Sequence, residues 1–174
     1  MSSRGMSIVW LGLGTNIGDR LSHIESAIER LIPVLENISR AGLYDTAPRD
    51  FLDQADFLNT VVRGETDLSP LELLYVLHEV ESKGGRDRAK LPGTPLKGPR
   101  TIDIDILLYD NICSTFTGDD GGSLTIPHIS MHQRLFVLKP LLDLDSEMKD
   151  PTDGVLWRYK ASQIGDQRVK LYKR

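Results

Sequence analysis

Apolar positions change their spacing along the chain, and these changes predict an order of strands and helices. An unbroken apolar run at 8–13 predicts a buried strand that ends at glycines. In the next segment, apolar residues recur every three or four positions, which indicates one face of a helix with Asn16 or Asp19 as its N-cap. These residues are Ile17, Leu21, Ile24, Ile28, Leu31 and Leu35.

Two more strands and a second helix are predicted next. The strands lie at 38–46 and 57–64, separated by the turn residues Ala47-Pro48-Arg49-Asp50. Ser69-Pro70-Leu71-Glu72 predicts a helix start, because serine can cap the helix, proline suits its first turn and glutamate can bond back to the cap. The helix is expected to end at Gly84-Gly85, and its inward residues are Leu73, Leu77 and Val80.

The last part of the chain adds an isoleucine-rich strand within 98–109, a hairpin around 118–123, a short helix from about His128 and an apolar segment at 135–144 that Pro140 breaks. The order is therefore β-α-β-β-α-β with a C-terminal elaboration. This order predicts an α/β fold, a ferredoxin-like α/β sandwich with a mostly antiparallel sheet and helices over one face. No repeat or linker interrupts 1–174, which favours a single domain.

Composition and charge exclude several classes of protein. Apolar residues make up 40% of the 174 residues and charged residues 26%, as in ordinary globular proteins. A net charge of -4 argues against a nucleic-acid-binding protein. No apolar run is long enough to span a membrane, and the first residues lack a signal peptide's apolar stretch. Because Cys113 is the single cysteine, no internal disulfide forms, and we expect a cytoplasmic protein, with an organellar location left open.

Two aspartates lie inside the isoleucine-rich strand. Side chains alternate along a strand, so Asp103 and Asp105 face one side and the neighbouring isoleucines face the other. Two like charges this close repel unless a cation neutralises them, and Mg²⁺ binds a few carboxylates together with phosphate oxygens and water. Taken alone, the pair is more typical of a strand whose polar face is in water.

The loop before these aspartates is strongly cationic. Its basic residues are Arg86, Arg88, Lys90, Lys97 and Arg100, against one acid, Asp87. By itself such a loop is as typical of a solvated surface as of a binding site. Arginine, however, binds phosphate through two parallel hydrogen bonds, and irregular loops of this length are commonly functional. Loop and carboxylates together favour a site for Mg²⁺ and a nucleotide.

Segment 98–107, GPRTIDIDIL, resembles the signature of the 6-hydroxymethyl-7,8-dihydropterin pyrophosphokinase family of folate synthesis. Further blocks that resemble the family, in its order, are Gly14-Thr15-Asn16, Tyr44-Asp45-Thr46-Ala47-Pro48, Asp56-Phe57-Leu58-Asn59, Gly85-Arg86-Asp87-Arg88, Leu124-Thr125-Ile126-Pro127-His128 and Arg134-Leu135-Phe136. The resemblance implies transfer of the β,γ-pyrophosphoryl group of ATP to a dihydropterin hydroxymethyl group, with release of AMP. It also implies two Mg²⁺ ions as cofactors and ATP as co-substrate.

The resemblance implies roles for individual residues. Asp103 and Asp105 would hold the Mg²⁺ ions, and together with Arg86, Arg88 and Arg100 they would form the catalytic set. The implied ATP-binding residues are His78, Glu81, Arg88, Arg100, Ile106, Thr125, His128 and Arg134. The implied pterin-binding residues are Thr46, Ala47, Pro48, Phe57, Asn59 and Phe136, with the two phenylalanines on either side of the ring.

The sequence departs from the family pattern at two places. Lys97 lies where the family often has a tryptophan, and 91–96 resembles an insertion, so the details of loop closure differ. Ser123 lies where a basic residue often precedes the Leu-Thr-Ile-Pro-His block. One nucleotide contact is therefore expected to be missing.

Other sites are less well supported. Gly12, Gly14 and Gly18 do not match the dinucleotide-binding spacing, and a tight turn explains them better. His128 and His132 lack the H-E-x-x-H pattern of a zinc site, and 118–123 has too few ligands for a calcium loop.

Two other functions remain open, namely an Mg²⁺-dependent nucleotide-sugar glycosyltransferase and a non-catalytic ferredoxin-like ligand-binding module. Expected partners are ATP and the dihydropterin, without nucleic acid or membrane. The isolated domain is expected to be a monomer, and fusion to other folate-pathway enzymes is left open.

Overall fold

A computed structural model describes residues 5–49, 52–86 and 98–173. The strands are β1 (Ser7–Thr15), β2 (Glu36–Arg40), β3 (Tyr44–Thr46), β4 (Phe57–Thr66), β5 (Asp103–Tyr109), β6 (Ser114–Thr117), β7 (Ser123–Ile126) and β8 (Val169–Leu171). The α-helices are α1 (Arg20–Leu31), α2 (Pro70–Lys83), α3 (Leu135–Leu144) and α4 (Trp157–Ser162), and Met131–Gln133 forms a 3₁₀ turn. None of the helices in this part of the chain is long and apolar enough to cross a membrane.

The main sheet has the strand order β5-β1-β4-β3-β8, with β2 also paired to β4. Every pairing in it is antiparallel. The α/β fold predicted from the sequence, with its mostly antiparallel sheet and ferredoxin-like order, is confirmed.

The strand predicted at 38–46 is in fact two strands, β2 and β3. Both pair with β4, and the chain between them bends so that the hydroxyl of Thr60 donates to the carbonyls of Ala41 and Gly42. Ala41 and Leu43 are buried in this connection, so an apolar pattern continues through a segment that is not strand. This continuity explains why the sequence predicted a single strand.

The helix predicted from the first apolar stripe is shorter than that stripe. It begins at Arg20 because Asp19 is the N-cap, its carboxylate accepting a hydrogen bond from the Ser22 N–H at 3.1 Å. Ile17 precedes the helix and is 39% exposed, while Leu35 follows the helix and is buried. Asn16, the other candidate cap, bonds instead to the Gln54 side chain and to the backbone of Arg100.

Helix α2 follows its sequence signals closely. Ser69 and Glu72 form the predicted capping box, and Leu73, Leu77 and Val80 are buried against the sheet. The helix ends at Lys83, before Gly84, and brings its last turn next to β5.

Helices cover both faces of the sheet, so the expectation of helices over one face is wrong. Helices α1 and α2 pack on one face, and α3 and α4 contribute to a second apolar core on the other, around Trp10, Val61 and Leu107. Helix α3 is also continuous through Pro140, because proline removes only one hydrogen bond of the helix and the buried side chains around it keep the segment packed. Helix α4 and β8 were not predicted.

The predicted hairpin is present as β6 and β7, joined by residues 118–122. The Asp119 N–H donates to the Tyr75 hydroxyl of α2 at 3.3 Å, which ties the hairpin tip to that helix. The short helix expected near His128 is the 3₁₀ turn Met131–Gln133.

Candidate active site

A cleft of about 500 Å³ opens over β1, β4 and β5, bounded by α2, β7 and the start of α3. The predicted site residues that line it are Thr46, Ala47, Pro48, Phe57, Asn59, His78, Arg86, Arg100, Asp103, Asp105, Ile106, Thr125, His128, Arg134 and Phe136. Residues separated by up to 90 positions in sequence therefore meet in one cavity, and the two carboxylates are among them.

Two predicted site residues are not among those that line the cleft. Arg88, like the neighbouring loop residues Asp87, Lys90 and Lys97, lies outside the described part of the chain. Glu81 is described, and its side chain is fully buried, so it does not line the cleft as a direct ATP contact would require.

Glu81 instead supports the residues that do line the cleft. One of its carboxylate oxygens accepts from the Arg86 guanidinium at 2.5 Å and from the backbone N–H of Ile104 at 2.7 Å. The Arg86 N–H also donates to the Glu81 carbonyl at 3.0 Å. A buried carboxylate needs such partners, and in meeting that need Glu81 holds Arg86 at the edge of β5.

Asp103 lies between two arginines. Arg86 donates to one of its carboxylate oxygens and Arg100 to the other. Desolvation raises the pKa of Asp103, but the charges and hydrogen bonds of Arg100 and Arg86 outweigh it, so the pKa lies below its ordinary value. Asp103 is therefore a carboxylate whose charge is already compensated by the protein.

Asp105 lies on the same side of β5 but has a different environment. Desolvation at the bottom of the cleft raises its pKa, the neighbouring charge of Asp103 adds to this effect, and the result is a pKa of about 7. Its side chain is nevertheless 41% exposed, so a solute in the cleft can reach it. A metal ion bound there would stabilise the charged form of a carboxylate whose pKa is raised in this way.

The donor set fits Mg²⁺ bound together with phosphate better than a metal site made by protein alone. Among the described residues, no group of three or more His, Cys, Asp or Glu side chains is arranged to hold a metal ion. Asp103 and Asp105 could supply two carboxylates, and Mg²⁺ commonly completes its six ligands with water and substrate phosphate oxygens.

His128 is held by the irregular end of β5. Leu107 is an extra residue in the pairing of β5 with β1, and its carbonyl accepts from the His128 N–H at 2.9 Å. Desolvation and the nearby charge of Arg134 lower the pKa of His128 to about 4, so the ring is neutral near pH 7. Its Nδ1 accepts from the Ser130 N–H at 3.2 Å, which places the proton on Nε2, 3.9 Å from Asp105 Oδ2.

The other predicted nucleotide residues differ in what they present to the cleft. Ile106 is largely buried in the core that α1 and α2 cover and also lines the cleft. Thr125 shares a 3.0 Å hydrogen bond with Thr115 across the hairpin, and His78 reaches the cleft from α2.

Two phenylalanines mark the end of the cleft where the pterin residues were predicted. The guanidinium of Arg100 lies 5.6 Å from the centre of the Phe57 ring, and that of Arg134 lies 5.6 Å from the Phe136 ring. Each predicted pterin-stacking ring thus has a predicted phosphate-binding arginine over it. The aromatic and the cationic parts of the cleft are in direct contact.

Asn59 and Thr46 form the polar rim of this end. The Asn59 amide donates to the Thr46 hydroxyl at 2.6 Å, which fixes both side chains. Gly14 of β1 lies beside them, and a Cβ atom there would come within 2.5 Å of the Asn59 side-chain oxygen. The glycine that looked like part of a dinucleotide motif therefore makes room for Asn59.

Sequence reasoning did not assign every residue that shapes the cleft. Arg49 and Gln54 line it, and Asn16 lies next to it, bonded to Gln54 and to the backbone of Arg100. Asn16 belongs to a block that resembled the family, but its side chain was interpreted only as a candidate helix cap. No local pattern indicated a contact with residues 38 and 84 positions away.

Comparison with known proteins identifies the family. Residues 10–146 match the family model described as 7,8-dihydro-6-hydroxymethylpterin-pyrophosphokinase (HPPK). The 2-amino-4-hydroxy-6-hydroxymethyldihydropteridine pyrophosphokinase of Aquifex aeolicus is 40% identical over 148 residues, covering 84% of this chain and 85% of that protein.

Other relatives are longer than this chain. The folic acid synthesis protein fol1 of Schizosaccharomyces pombe is 35% identical over 95% of this chain, which spans 21% of that protein. The mitochondrial folate synthesis bifunctional protein of Pisum sativum is 39% identical over 90% of this chain, which spans 29% of that protein.

A solved structure shares the fold. The crystal structure of wild-type Plasmodium falciparum HPPK-DHPS superimposes with a TM-score of 0.71 at 18% identity, covering 92% of this chain and 42% of that one. At this identity the similarity concerns the fold alone. The family match and the Aquifex aeolicus relative carry the assignment, and this chain belongs to the 7,8-dihydro-6-hydroxymethylpterin-pyrophosphokinase family.

Proposed function

We propose that this chain transfers the β,γ-pyrophosphoryl group of ATP to the hydroxymethyl group of 6-hydroxymethyl-7,8-dihydropterin and releases AMP, with Mg²⁺ required. The observation that carries the proposal is the cleft in which a pair of carboxylates, one of them bonded to two arginines, lies next to two aromatic rings. One half suits a metal-bound polyphosphate, and the other suits a flat heteroaromatic ring.

The reaction balances as a single displacement at phosphorus. The hydroxymethyl oxygen forms a bond to the β-phosphorus of ATP, and the bond from that phosphorus to the oxygen bridging it to the α-phosphorus breaks. AMP leaves with the electron pair of that bond, and the hydroxyl proton passes to water. In such transfers the protein contributes mainly by positioning the reactants and stabilising charge.

The cationic residues supply that charge stabilisation. Arg86 and Arg100 compensate Asp103 in the absence of ligand, and a polyphosphate would attract both guanidinium groups toward its own oxygens. Arg134 and the Nε2–H of neutral His128 lie at the same cleft and can donate to phosphate. Arg88 stays in the proposal because it belongs to the block Gly85-Arg86-Asp87-Arg88, which resembles the family.

Asp103 and Asp105 would hold Mg²⁺, and we propose two such ions, which would be bound together with the phosphates of ATP. Metal bound there would neutralise phosphate charge and lower the pKa of the attacking hydroxyl. Burial and the charge of Asp103 raise the pKa of Asp105, so a bound cation would stabilise its charged form, and Glu81 keeps Arg86 close to Asp103.

The pterin is proposed to lie between Phe57 and Phe136, with Asn59 and Thr46 at its polar edge and Ala47 and Pro48 beside it. Stacking on both faces excludes water from the ring and fixes its plane. The hydroxymethyl group would then project toward the carboxylates.

Product analysis tests this function. The chain is incubated with ATP, Mg²⁺ and 6-hydroxymethyl-7,8-dihydropterin, and the nucleotide products are separated by ion-exchange chromatography. AMP that forms only when the pterin and Mg²⁺ are both present supports the proposal. Formation of ADP, or turnover of UDP-sugars instead, would favour a different kinase or a glycosyltransferase.

A further inference from the structure

Asn16 is a buried amide that joins two segments of the cleft wall. It follows β1 directly, is only 6% exposed and does not itself line the cleft. Its side-chain amide donates to the Gln54 side-chain oxygen and to the Ala55 carbonyl, both at 3.0 Å. Its side-chain oxygen accepts from the Arg100 N–H at 2.9 Å, and its own N–H donates to the Arg100 carbonyl at 3.1 Å.

Asn16 bonds to both the N–H and the carbonyl of Arg100. With the N–H and the carbonyl of Arg100 both bonded to Asn16, the backbone from which its guanidinium extends has little freedom to shift. That guanidinium contacts Asp103 and lies over the Phe57 ring. Because Gly98 and Pro99 precede Arg100 without regular structure, this bonding supplies order that the local sequence does not.

The contacts to Gln54 and Ala55 fix the other segment. Gln54 lines the cleft, and Ala55 lies two residues before Phe57, where β4 begins. A displacement of Ala55 would therefore move the ring that is predicted to stack on the pterin. Asn16 thus connects the phosphate side and the pterin side of the same cavity.

An asparagine is suited to this position because it can both donate and accept. Its two side-chain N–H groups and its side-chain oxygen all have partners, so the buried amide is satisfied. The fold of β1 does not require these bonds, since the strand is paired along its length with β4 and β5.

We propose that Asn16 is a positioning residue for pyrophosphoryl transfer, an inference that rests on the function proposed above. It sets the position of Arg100 at Asp103, and it sets the position of Phe57 through residues 54–55. Loss of its side-chain bonds should slow the chemical step and weaken pterin binding, because small displacements of positioned groups cost on the order of tenfold to a hundredfold in rate.

Two substitutions separate the two connections. Asn16→Leu removes every side-chain hydrogen bond at similar volume. Asn16→Asp keeps an oxygen that can accept from the Arg100 N–H, but it cannot donate to the Ala55 carbonyl. We expect the single-turnover rate to fall on the order of tenfold or more in Asn16→Leu and by less in Asn16→Asp, while pterin affinity falls in both.

A double-mutant comparison tests whether Asn16 acts through Arg100. If it does, Arg100→Ala combined with Asn16→Leu should react no more than about twofold slower than Arg100→Ala alone, since coupled residues are not additive. A full multiplicative loss in the double variant would show that Asn16 does not act through Arg100 and would overturn that part of the proposal.

Ser69→Ala is the matched control. It removes the N-cap of α2, a residue that does not line the cleft, and costs about 1 kcal/mol of stability in typical helices, so it reveals what destabilisation alone does to the rate. Circular dichroism and thermal unfolding confirm that each variant is folded before it is assayed. A single-turnover rate and a pterin Kd in folded Asn16→Leu within twofold of the unchanged chain, or no worse than in Ser69→Ala, would overturn the proposal.

A binding measurement keeps this inference separate from the proposed function. Calorimetry with the α,β-methylene analogue of ATP, Mg²⁺ and the pterin needs no turnover. If the unchanged chain makes no AMP, the proposed function fails on its own. The positioning of Arg100 and Phe57 by Asn16 is then supported if Asn16→Leu weakens binding of the analogue or the pterin at least fivefold more than Ser69→Ala, and overturned if it does not.

Discussion

At the level of single residues, Asp103 and Asp105 are two residues apart on one side of β5, yet their pKa values are shifted in opposite directions. Arg86 and Arg100 bond to Asp103 and lower its pKa, while burial and the Asp103 charge raise the pKa of Asp105 to about 7. The alternation of strand side chains predicted that they share a side. It could not predict which carboxylate the arginines would contact, because that depends on where α2 places Arg86.

Replacing either aspartate should abolish turnover while the protein stays folded. Asp103→Asn and Asp105→Asn each keep the shape of the side chain and remove a charge that the proposed Mg²⁺ site needs. Turnover at saturating Mg²⁺ and circular dichroism are measured for both. Asp67→Asn, on the loop between β4 and α2, is the control for loss of one surface carboxylate. Near-normal turnover by either site variant would contradict the metal assignment.

Without metal, the free energy of unfolding should decrease when Asp105 becomes charged. A folded pKa of about 7, above the ordinary 3.8, means that the folded state holds this proton more tightly than the unfolded state between those values. The contribution of Asp105 to stability is therefore present below about pH 4 and is lost as the pH rises through 7. Asp105→Asn removes that loss.

We expect Asp105→Asn to have a higher melting temperature than the unchanged chain at pH 8 in EDTA, with little difference at pH 4. Thermal unfolding at both pH values measures this. A lower melting temperature for the variant at pH 8 would mean that the Asp105 charge is compensated by groups other than a metal.

Replacing either phenylalanine should weaken binding of the pterin but not of ATP. Phe57→Ala and Phe136→Ala remove stacking worth about 0.5–1.5 kcal/mol beyond buried area, which weakens the pterin Kd by roughly two- to tenfold or more. Affinity for ATP should change little. Titration calorimetry with each ligand checks this, with Tyr159→Ala on α4, which is 61% exposed, as the control. Equal losses for both ligands would mean that the rings serve the core instead.

At the level of elements, β1 shapes the cleft because Gly14 has no side chain there. Gly14 lies next to Asn59, and the space of a missing side chain is filled by the Asn59 amide, which bonds Thr46. The glycine pattern in the sequence indicated a turn. Gly14 leaves space for Asn59 because β1 and β4 pair these two residues. No local sequence pattern contains that pairing.

Gly14→Ala should therefore impair pterin binding. The new methyl group would lie 2.5 Å from the Asn59 oxygen, so Asn59 must move and its bond to Thr46 is strained or lost. We expect the pterin Kd to rise while the Kd for the ATP analogue stays close to its original value. Gly5→Ala, which would meet no atom within 4 Å, is the control. An unchanged pterin Kd in Gly14→Ala would contradict the role given to Asn59.

Elements with strong local signals were predictable, and elements held by distant packing were not. The capping box of α2 and the turn of the β6–β7 hairpin are encoded in a few adjacent residues, and both are confirmed. Helix α4 has six residues and no side-chain cap, and it is positioned by the buried Trp157. Such a helix depends on packing that a local pattern does not show.

At the level of the whole molecule, the order of elements brings the site together. Antiparallel pairing places β5 next to β1 and β1 next to β4, so the signature aspartates, Gly14 and Asn59 become neighbours across three strands. The second helical layer then supplies Phe136 at the start of α3. The sequence predicted the β-α-β-β-α-β part of this arrangement and most of the cleft residues.

The two differences at this scale have one cause. Glu81 was expected in the cleft and supports it from behind, and the second layer of helices was not expected at all. Contacts between residues far apart in sequence decide which face of a sheet is covered by helices. They also decide where the side chain of a polar residue near the end of a helix points. The resemblance identified Glu81 but not the direction of its side chain.

The central claim is that the pyrophosphoryl group moves intact from ATP to the pterin at this cleft. Phosphorus NMR of a reaction with equal ATP and 6-hydroxymethyl-7,8-dihydropterin, in excess Mg²⁺, tests it most directly. We predict AMP and a pterin diphosphate in equal amounts, the latter with two coupled phosphorus signals, and neither product when Asp105→Asn replaces the unchanged chain. ADP with a pterin monophosphate, or AMP with free pyrophosphate and unmodified pterin, would contradict the claim.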